Sequence, residues 1–186
     1  MKNGALAALA ANDIISGGVY DLYYDGTQFQ IKGLREERGV ILSTTTYATN
    51  TTYSTTIPAD DTIPQNTEGT EMFTIAYTPV NASSQLEIEY DIFGANASGN
   101  TKMIAALFVD TTADALYTAY RNCSNGGEPE ALHGYYKVSA ASTSSRTYKV
   151  RVGASSGNFF PNGTAAATRL FGGVSLCSFR VREILP

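Results

Sequence analysis

From Gln85 to Phe93 the chain alternates Leu86, Ile88, Tyr90 and Ile92 with Glu87, Glu89 and Asp91. A period of two places all four apolar side chains on one face of an extended strand and all three acids on the other, so this segment predicts a strand half-buried against a core. Shorter β-branched or aromatic runs follow the same logic at Val40 to Tyr47, Met72 to Tyr77, Leu116 to Tyr120, Tyr135 to Ala140, Thr147 to Val152 and Leu176 to Ile184. Thr101 to Val109 differs: its apolar run is continuous, which fits a strand buried on both faces. Gly- or Ser-rich breaks at Ala95 to Asn100, Asn122 to Gly127, Ala141 to Ser145 and Ser155 to Gly163 separate the strands. No segment carries sustained helical periodicity and no internal repeat is visible. Amphipathic sheets must cover each other's apolar faces, so the pattern predicts an all-β, antiparallel β-sandwich or jelly roll.

Ahead of this set, Val19 to Tyr24 and Thr27 to Ile31 flank Asp25-Gly26, a dipeptide suited to the positive φ angles of a two-residue hairpin turn. The charged run Arg35 to Arg38 reads as a solvated connector, and Ala48 to Gly69, with Pro58, Pro64 and Asp60-Asp61, as an ordered loop. The expected organisation is therefore an N-terminal hairpin and connecting strand over residues 1–47, serving attachment or capping, followed by a sandwich domain over 48–186.

Composition narrows the function. Only 16% of residues are charged, against about a quarter in ordinary soluble domains, and Ser, Thr, Asn, Gly and Tyr fill the polar positions. A formal net charge of −4 with scattered Lys and Arg excludes the basic stripe that nucleic-acid binding needs. Gly4 to Ala11 is apolar but too short to span a bilayer, and it runs directly into Asn12 and Asp13, unlike a signal peptide. Membrane insertion is not expected. Cys123 and Cys177 have no CxxC or Cys/His spacing, so no zinc ligand set exists; one disulfide or two reduced thiols both fit, and assembly in a cytoplasm favours the thiols. Asn-x-Ser/Thr triplets at Asn50, Asn81, Asn96, Asn122 and Asn162 read as unmodified polar loops in so Ser- and Thr-rich a chain.

Catalytic patterns are weak throughout. His133 is the single histidine, it falls in an expected turn Ala131 to Gly134, and no nucleophile elbow surrounds any serine. Glu87 and Glu89 sit two apart on the solvent face of one strand, which suits solubility better than glycoside cleavage. Asp60-Asp61 is better explained by hydrogen bonds holding its loop than by a calcium site. No phosphate-binding glycine loop is present. We therefore expect no enzyme activity, no cofactor and no metal.

Aromatic side chains beside Asn- and Gly-rich breaks are more informative, because loops on a rigid sheet can present rings for stacking on sugars or anchoring a protein contact. On that basis the candidate contact residues are Tyr120, Asn122, Asn125, His133, Tyr135, Asn158, Phe159 and Phe160.

From Ile57 onward, the run Ile57-Pro58-Ala59-Asp60-Asp61-Thr62-Ile63-Pro64-Gln65, then Glu68 to Glu71, Thr78-Pro79, Ser83-Ser84, Ala105 to Asp110, Arg151 to Gly153 and Arg182 to Ile184, resembles a module of bacteriophage tail fibres and related virion proteins. Gly17 to Ile31 resembles a hairpin found just upstream in such fibres. The resemblance implies a jelly-roll-like homotrimer on the phage particle, assembled in the bacterial cytoplasm and attached to other virion proteins through its N-terminal segment. Two roles follow: a distal receptor-binding module for a bacterial surface glycan or protein, or a capsid decoration or tail component. A capsule depolymerase is the least favoured reading.

Overall fold

The computed structural model describes residues 20–24, 26–27, 29–34, 37–46, 51–166 and 168–186. Gly4 to Ala11, Arg35-Glu36 and Asn50, on which expectations were placed, lie outside the described residues. The elements are β1 (Tyr20–Tyr24), β2 (Phe29–Leu34), β3 (Glu37–Thr46), β4 (Thr70–Tyr77), β5 (Gln85–Asn96), β6 (Thr101–Val109), β7 (Tyr117–Cys123), β8 (Pro129–Ser139), β9 (Arg146–Ala154), β10 (Phe159–Pro161), a single 3-10 turn (Phe171–Gly173) and β11 (Leu176–Ile184).

β1 and β2 form the N-terminal hairpin by themselves. Tyr24 pairs with Phe29, so four residues lie between the strands rather than the two expected around Asp25-Gly26. Gly26 does adopt positive φ, and the Tyr24 hydroxyl donates to its carbonyl at 3.0 Å.

The remaining strands build two antiparallel sheets. One runs β8-β5-β11-β3, with short β10 pairing β5 beyond the end of β11; the other runs β4-β9-β6-β7. From β3 onward every step between successive strands crosses from one sheet to the other except β6–β7 and β10–β11, which is the order of an eight-stranded jelly roll, two interlocked Greek keys, with β10 as a short addition. β3 is a member of this roll: it pairs β11 from Leu176↔Thr46 to Ile184↔Glu37. The strand grouped by sequence with residues 1–47 thus belongs to the sandwich, and Glu37 and Arg38 open it instead of forming a connector. β-branched Val40 and Ile41 and the Thr44 to Thr46 run supply its extended propensity.

One core lies between the sheets. Leu86, Ile88, Tyr90 and Ile92 of β5 are all buried, joined by Phe73, Ile75 and Tyr77 of β4, Met103, Ala105 and Leu107 of β6, Val150 and Val152 of β9, and Phe179 and Val181 of β11. Phe73 and Phe179 meet across the sandwich with ring centroids 5.9 Å apart, and Tyr117 and Tyr136 stack at 5.9 Å where β7 meets β8. The Tyr90 hydroxyl reaches the opposite sheet and donates to the Ala105 carbonyl at 3.1 Å. Cys123 and Cys177 are both buried free thiols. Burial pushes the Cys177 thiol up to about 11, so it behaves as a small core residue.

Thr101 to Val109 is buried on both sides as its apolar run predicts. Met103, Ala105, Leu107 and Val109 face the sandwich, while Ile104, Ala106 and Phe108 face outward into a second, smaller cluster with Ile57. The polar Pro-bearing loop is therefore a lid over one face of the sheet.

β8 is longer than expected. The supposed turn Ala131 to Gly134 is strand, with His133 paired opposite Asp91 and Gly134 opposite Tyr90. Gly134 serves packing and not turning: a Cβ there would stand 2.1 Å from Cζ of Tyr90, whose ring crosses the space.

Candidate functional site

The lid is fixed by the residues of its own motif. The Ile57 amide donates to Ala154 O at 3.1 Å, Gly69 N–H donates to Thr56 O at 2.9 Å, and Ala115 N–H donates to Pro64 O at 3.0 Å. Gln65 Nε2 donates to Asp114 Oδ1 at 2.8 Å, and Glu68 Oε2 accepts the Gln65 amide at 3.0 Å. Arg151 donates to the carbonyls of Glu68 and Gly69 at 2.6 and 2.7 Å. Gly69 has φ of +62°, and a Cβ there would lie 2.8 Å from Ile57 Cδ1, so both its conformation and its bareness are needed for Ile57 to seat. Within the lid, Asp60 Oδ1 accepts from the Thr62 amide (2.9 Å) and hydroxyl (2.6 Å), which holds its carboxyl below the usual range.

Between this lid and the exposed edge of β6–β7 lies a cleft of about 360 Å³. Its rim is Pro58, Ala59, Asp60, Thr62 and Pro64; its floor and far wall are Ile104, Thr118, Lys102 and Tyr120. The strand register explains the grouping. Ile104 pairs with Tyr120 and Lys102 with Asn122, so alternate positions of two adjacent strands put an aromatic, an aliphatic, a cation and an amide on one face. Tyr120 is 60% exposed, although it stands on a strand. A second cleft of about 280 Å³, lined by Asn100, Thr101, Lys102, Asn122, Cys123 and Ser124, adjoins the first through Lys102. Lys102 takes part in no ion pair among the described residues.

Of the residues singled out in the sequence, the structure brings Tyr120 and Asn122 to this surface. Asn125 is exposed in the neighbouring β7–β8 turn. His133 and Tyr135 project elsewhere, from the outer face of the other sheet, where His133 Nδ1 lies 2.9 Å from Asp91 Oδ1 and the Tyr135 hydroxyl donates to Glu87 Oε1 at 2.9 Å. Phe159 is fully buried: β10 pairs with Gly94 to Asn96 of β5 and turns the ring inward, 6.0 Å from that of Tyr53. Asn158 and Phe160 are half-buried beside it. The Gly-rich flanks make this stretch look like an open loop, but its backbone pairs on both sides.

Sequence reasoning passed over Lys102, Asp60 and the two prolines as contact residues. A signal for Lys102 was present: it is the one charge in the Thr101 to Val109 run and shares the parity of Ile104. Asn96 and Asn162, two of the Asn-x-Ser/Thr positions, are buried, which leaves no room for a glycan at either. Among the described residues no group of three or more His, Cys, Asp or Glu could hold a metal ion, and no helix is long and apolar enough to cross a membrane.

No family model matches the chain, and no curated protein does. Solved structures to which it is similar include Eiger TNF from S. frugiperda, at TM-score 0.40 and 10% identity over 80% of this chain and 94% of that one. They also include infectious bursal disease virus Gx strain (TM-score 0.37, 10% identity, 89% of this chain and 35% of that one) and the VP2 subviral particle of infectious bursal disease virus (0.35, 11%, 91% and 43%). The chain spans less than half the length of the two viral chains. Its fold assignment rests on its own strand order.

Proposed function

We propose that this chain is a virion structural protein of a bacteriophage, the distal module of a fibre, and that it binds a bacterial surface glycan or protein through the cleft between the lid and β7. The observation that carries the binding role is Tyr120. A large ring left 60% exposed on a paired strand, beside an unpaired cation and over an aliphatic floor, contributes little to the core and is placed to stack on a partner. The phage assignment is supported by the ordered motifs from Ile57 to Ile184, of which Ile57, Gln65, Glu68, Gly69 and Arg151 hold the lid in place. Host-cell pull-down with the purified protein tests the reading: the native chain binds susceptible cells and Tyr120→Ala loses most of that binding.

A second reading, decoration of the capsid or tail through contacts with other virion proteins or with further copies of itself, is favoured by a different feature. Phe171, Val174 and Leu176 are 74%, 79% and 46% exposed in the segment leading into β11. Such a patch suits burial in an assembly, a homotrimer in this proposal, which would also multiply weak sites into firm attachment. Sedimentation analysis reports the oligomer directly, and cryo-electron microscopy of particles locates the chain at a tip or on the shell.

A further inference from the structure

We infer that the cleft selects a carboxylate-bearing pyranose, an acidic saccharide, with Lys102 taking the carboxylate and Tyr120 the ring. The inference rests on the binding role proposed for that cleft and adds its ligand class. Three features of the surface lead to it.

First, the cation is uncommitted. The basic side chains of Arg121, Lys137, Arg146, Lys149, Arg180 and Arg182 each lie within ion-pair distance of a carboxylate, and Arg151 is held by backbone carbonyls and Glu71. Lys102 has no such partner among the described residues, yet it is half-buried and central, shared by both clefts. An ammonium without a counter-charge gains more from an incoming carboxylate than one already paired.

Second, spacing suits a sugar acid. Tyr120 and Asn122 are two residues apart on one strand, about 7 Å at the usual rise, and Lys102 stands directly across from Asn122. A pyranose lying on the Tyr120 ring thus brings an exocyclic carboxylate to Lys102, with the Asn122 amide beside it as a further donor. The small cleft around Asn100, Asn122 and Ser124 holds donors and acceptors but no acid.

Third, the acid that lines the larger cleft comes from the lid and not from the strands that carry Lys102 and Tyr120. Asp60 is held as a carboxylate by Thr62, so it is suited to accept from ring hydroxyls and disfavours an orientation that brings the ligand's own carboxylate to the lid.

The test is a ligand-observed NMR titration of the full chain with methyl glucuronide, methyl glucoside and acetate. The glucuronide is expected to bind about fivefold to tenfold tighter than the glucoside, with acetate not competing at equal concentration. Lys102→Met is expected to bring the two sugars within about twofold, Tyr120→Ala to weaken both, and Lys149→Met, which removes a cation paired with Glu71 on the same sheet, to change neither. Equal binding of the two sugars, or an acid preference that survives Lys102→Met, overturns the inference while leaving the cleft a binding surface. Competition by acetate as strong as by glucuronide reduces it to a simple anion site and overturns the saccharide. Cell binding that persists without saturation transfer from either sugar also overturns it, whereas loss of cell binding as well would remove the parent reading.

Discussion

The outer faces of β8-β5-β11 and of β6-β7 handle charge in opposite ways. On β8-β5-β11 the acids of β5 form a central row between bases: Glu87 meets Arg182 and Lys137, Glu89 meets Arg180, and Asp91 meets His133. Tyr135 and Ser178 donate into the same row. Hydrogen bonding from Arg182, against the opposing effect of burial, holds the Glu87 carboxyl below the usual range, as expected of an acid that already has its partners. On the outer face of β6, Ile104, Ala106 and Phe108 are instead buried with Ile57 of the motif loop, and beside them Tyr120 and Lys102 remain unmatched. Residues of similar type therefore mean different things on the two faces. A saturated ladder specifies strand register and keeps the surface soluble, while an incomplete set of partners leaves room for a ligand.

Phe108→Ala is expected to have the largest effect. Phe108 faces outward from its sheet yet is 1% exposed beneath the lid, so its truncation is expected to cost about 3–5 kcal/mol in urea unfolding, as for a core aromatic. A cost under 1 kcal/mol would mean that the lid does not close over this face.

Glu183 gives the next effect. It is fully buried on the inward side of β11, accepting from the Tyr77 hydroxyl at 2.8 Å and from the amides of Val80 and Asn81 at 3.0 and 3.1 Å. Burial alone would raise its pKa, but these donors together hold it below the ordinary 4.5. A depressed carboxyl contributes stability that is present above its unfolded value and is lost as pH falls through the folded one. Stability is therefore expected to decline below about pH 4.5. Glu183→Gln is expected to cost about 1–3 kcal/mol at neutral pH and to flatten that acid limb in a denaturation series.

Arg180→Ala, in the ladder, is expected to cost less than about 1 kcal/mol and to matter less in high salt, since its pair with Glu89 is half-exposed. Tyr120→Ala is expected to change stability by no more than about 0.5 kcal/mol, the smallest effect of the series, because the ring packs little.

Much of the fold was legible because its strands carry a clear period. Alternation at Leu86 to Ile92 gave β5, and the unbroken run at Met103 to Val109 gave a strand covered twice. What escaped was long-range. Nothing local in Val40 to Thr46 says that it pairs with the C-terminal strand, nor that Gly134 is bare to admit a ring from the next strand rather than to turn the chain. The site was half legible for the same reason. Tyr120 and Asn122 stood out as an aromatic and an amide ahead of a glycine-rich turn, but Lys102, Pro58 and Asp60 join them only through register and the lid. Phe159 misled because a buried bridge between two short segments looks, in sequence, like an exposed aromatic loop.

Binding is proposed to reside on the incomplete face and not on the saturated one. Binding to susceptible cells, measured side by side for the native chain, Tyr120→Ala and Arg180→Ala at matched folded concentration, tests it most directly. Tyr120→Ala is expected to lose at least about tenfold in affinity, as truncation of an aromatic anchor does, while Arg180→Ala stays within about twofold of native. Native binding by Tyr120→Ala with loss in Arg180→Ala would contradict it.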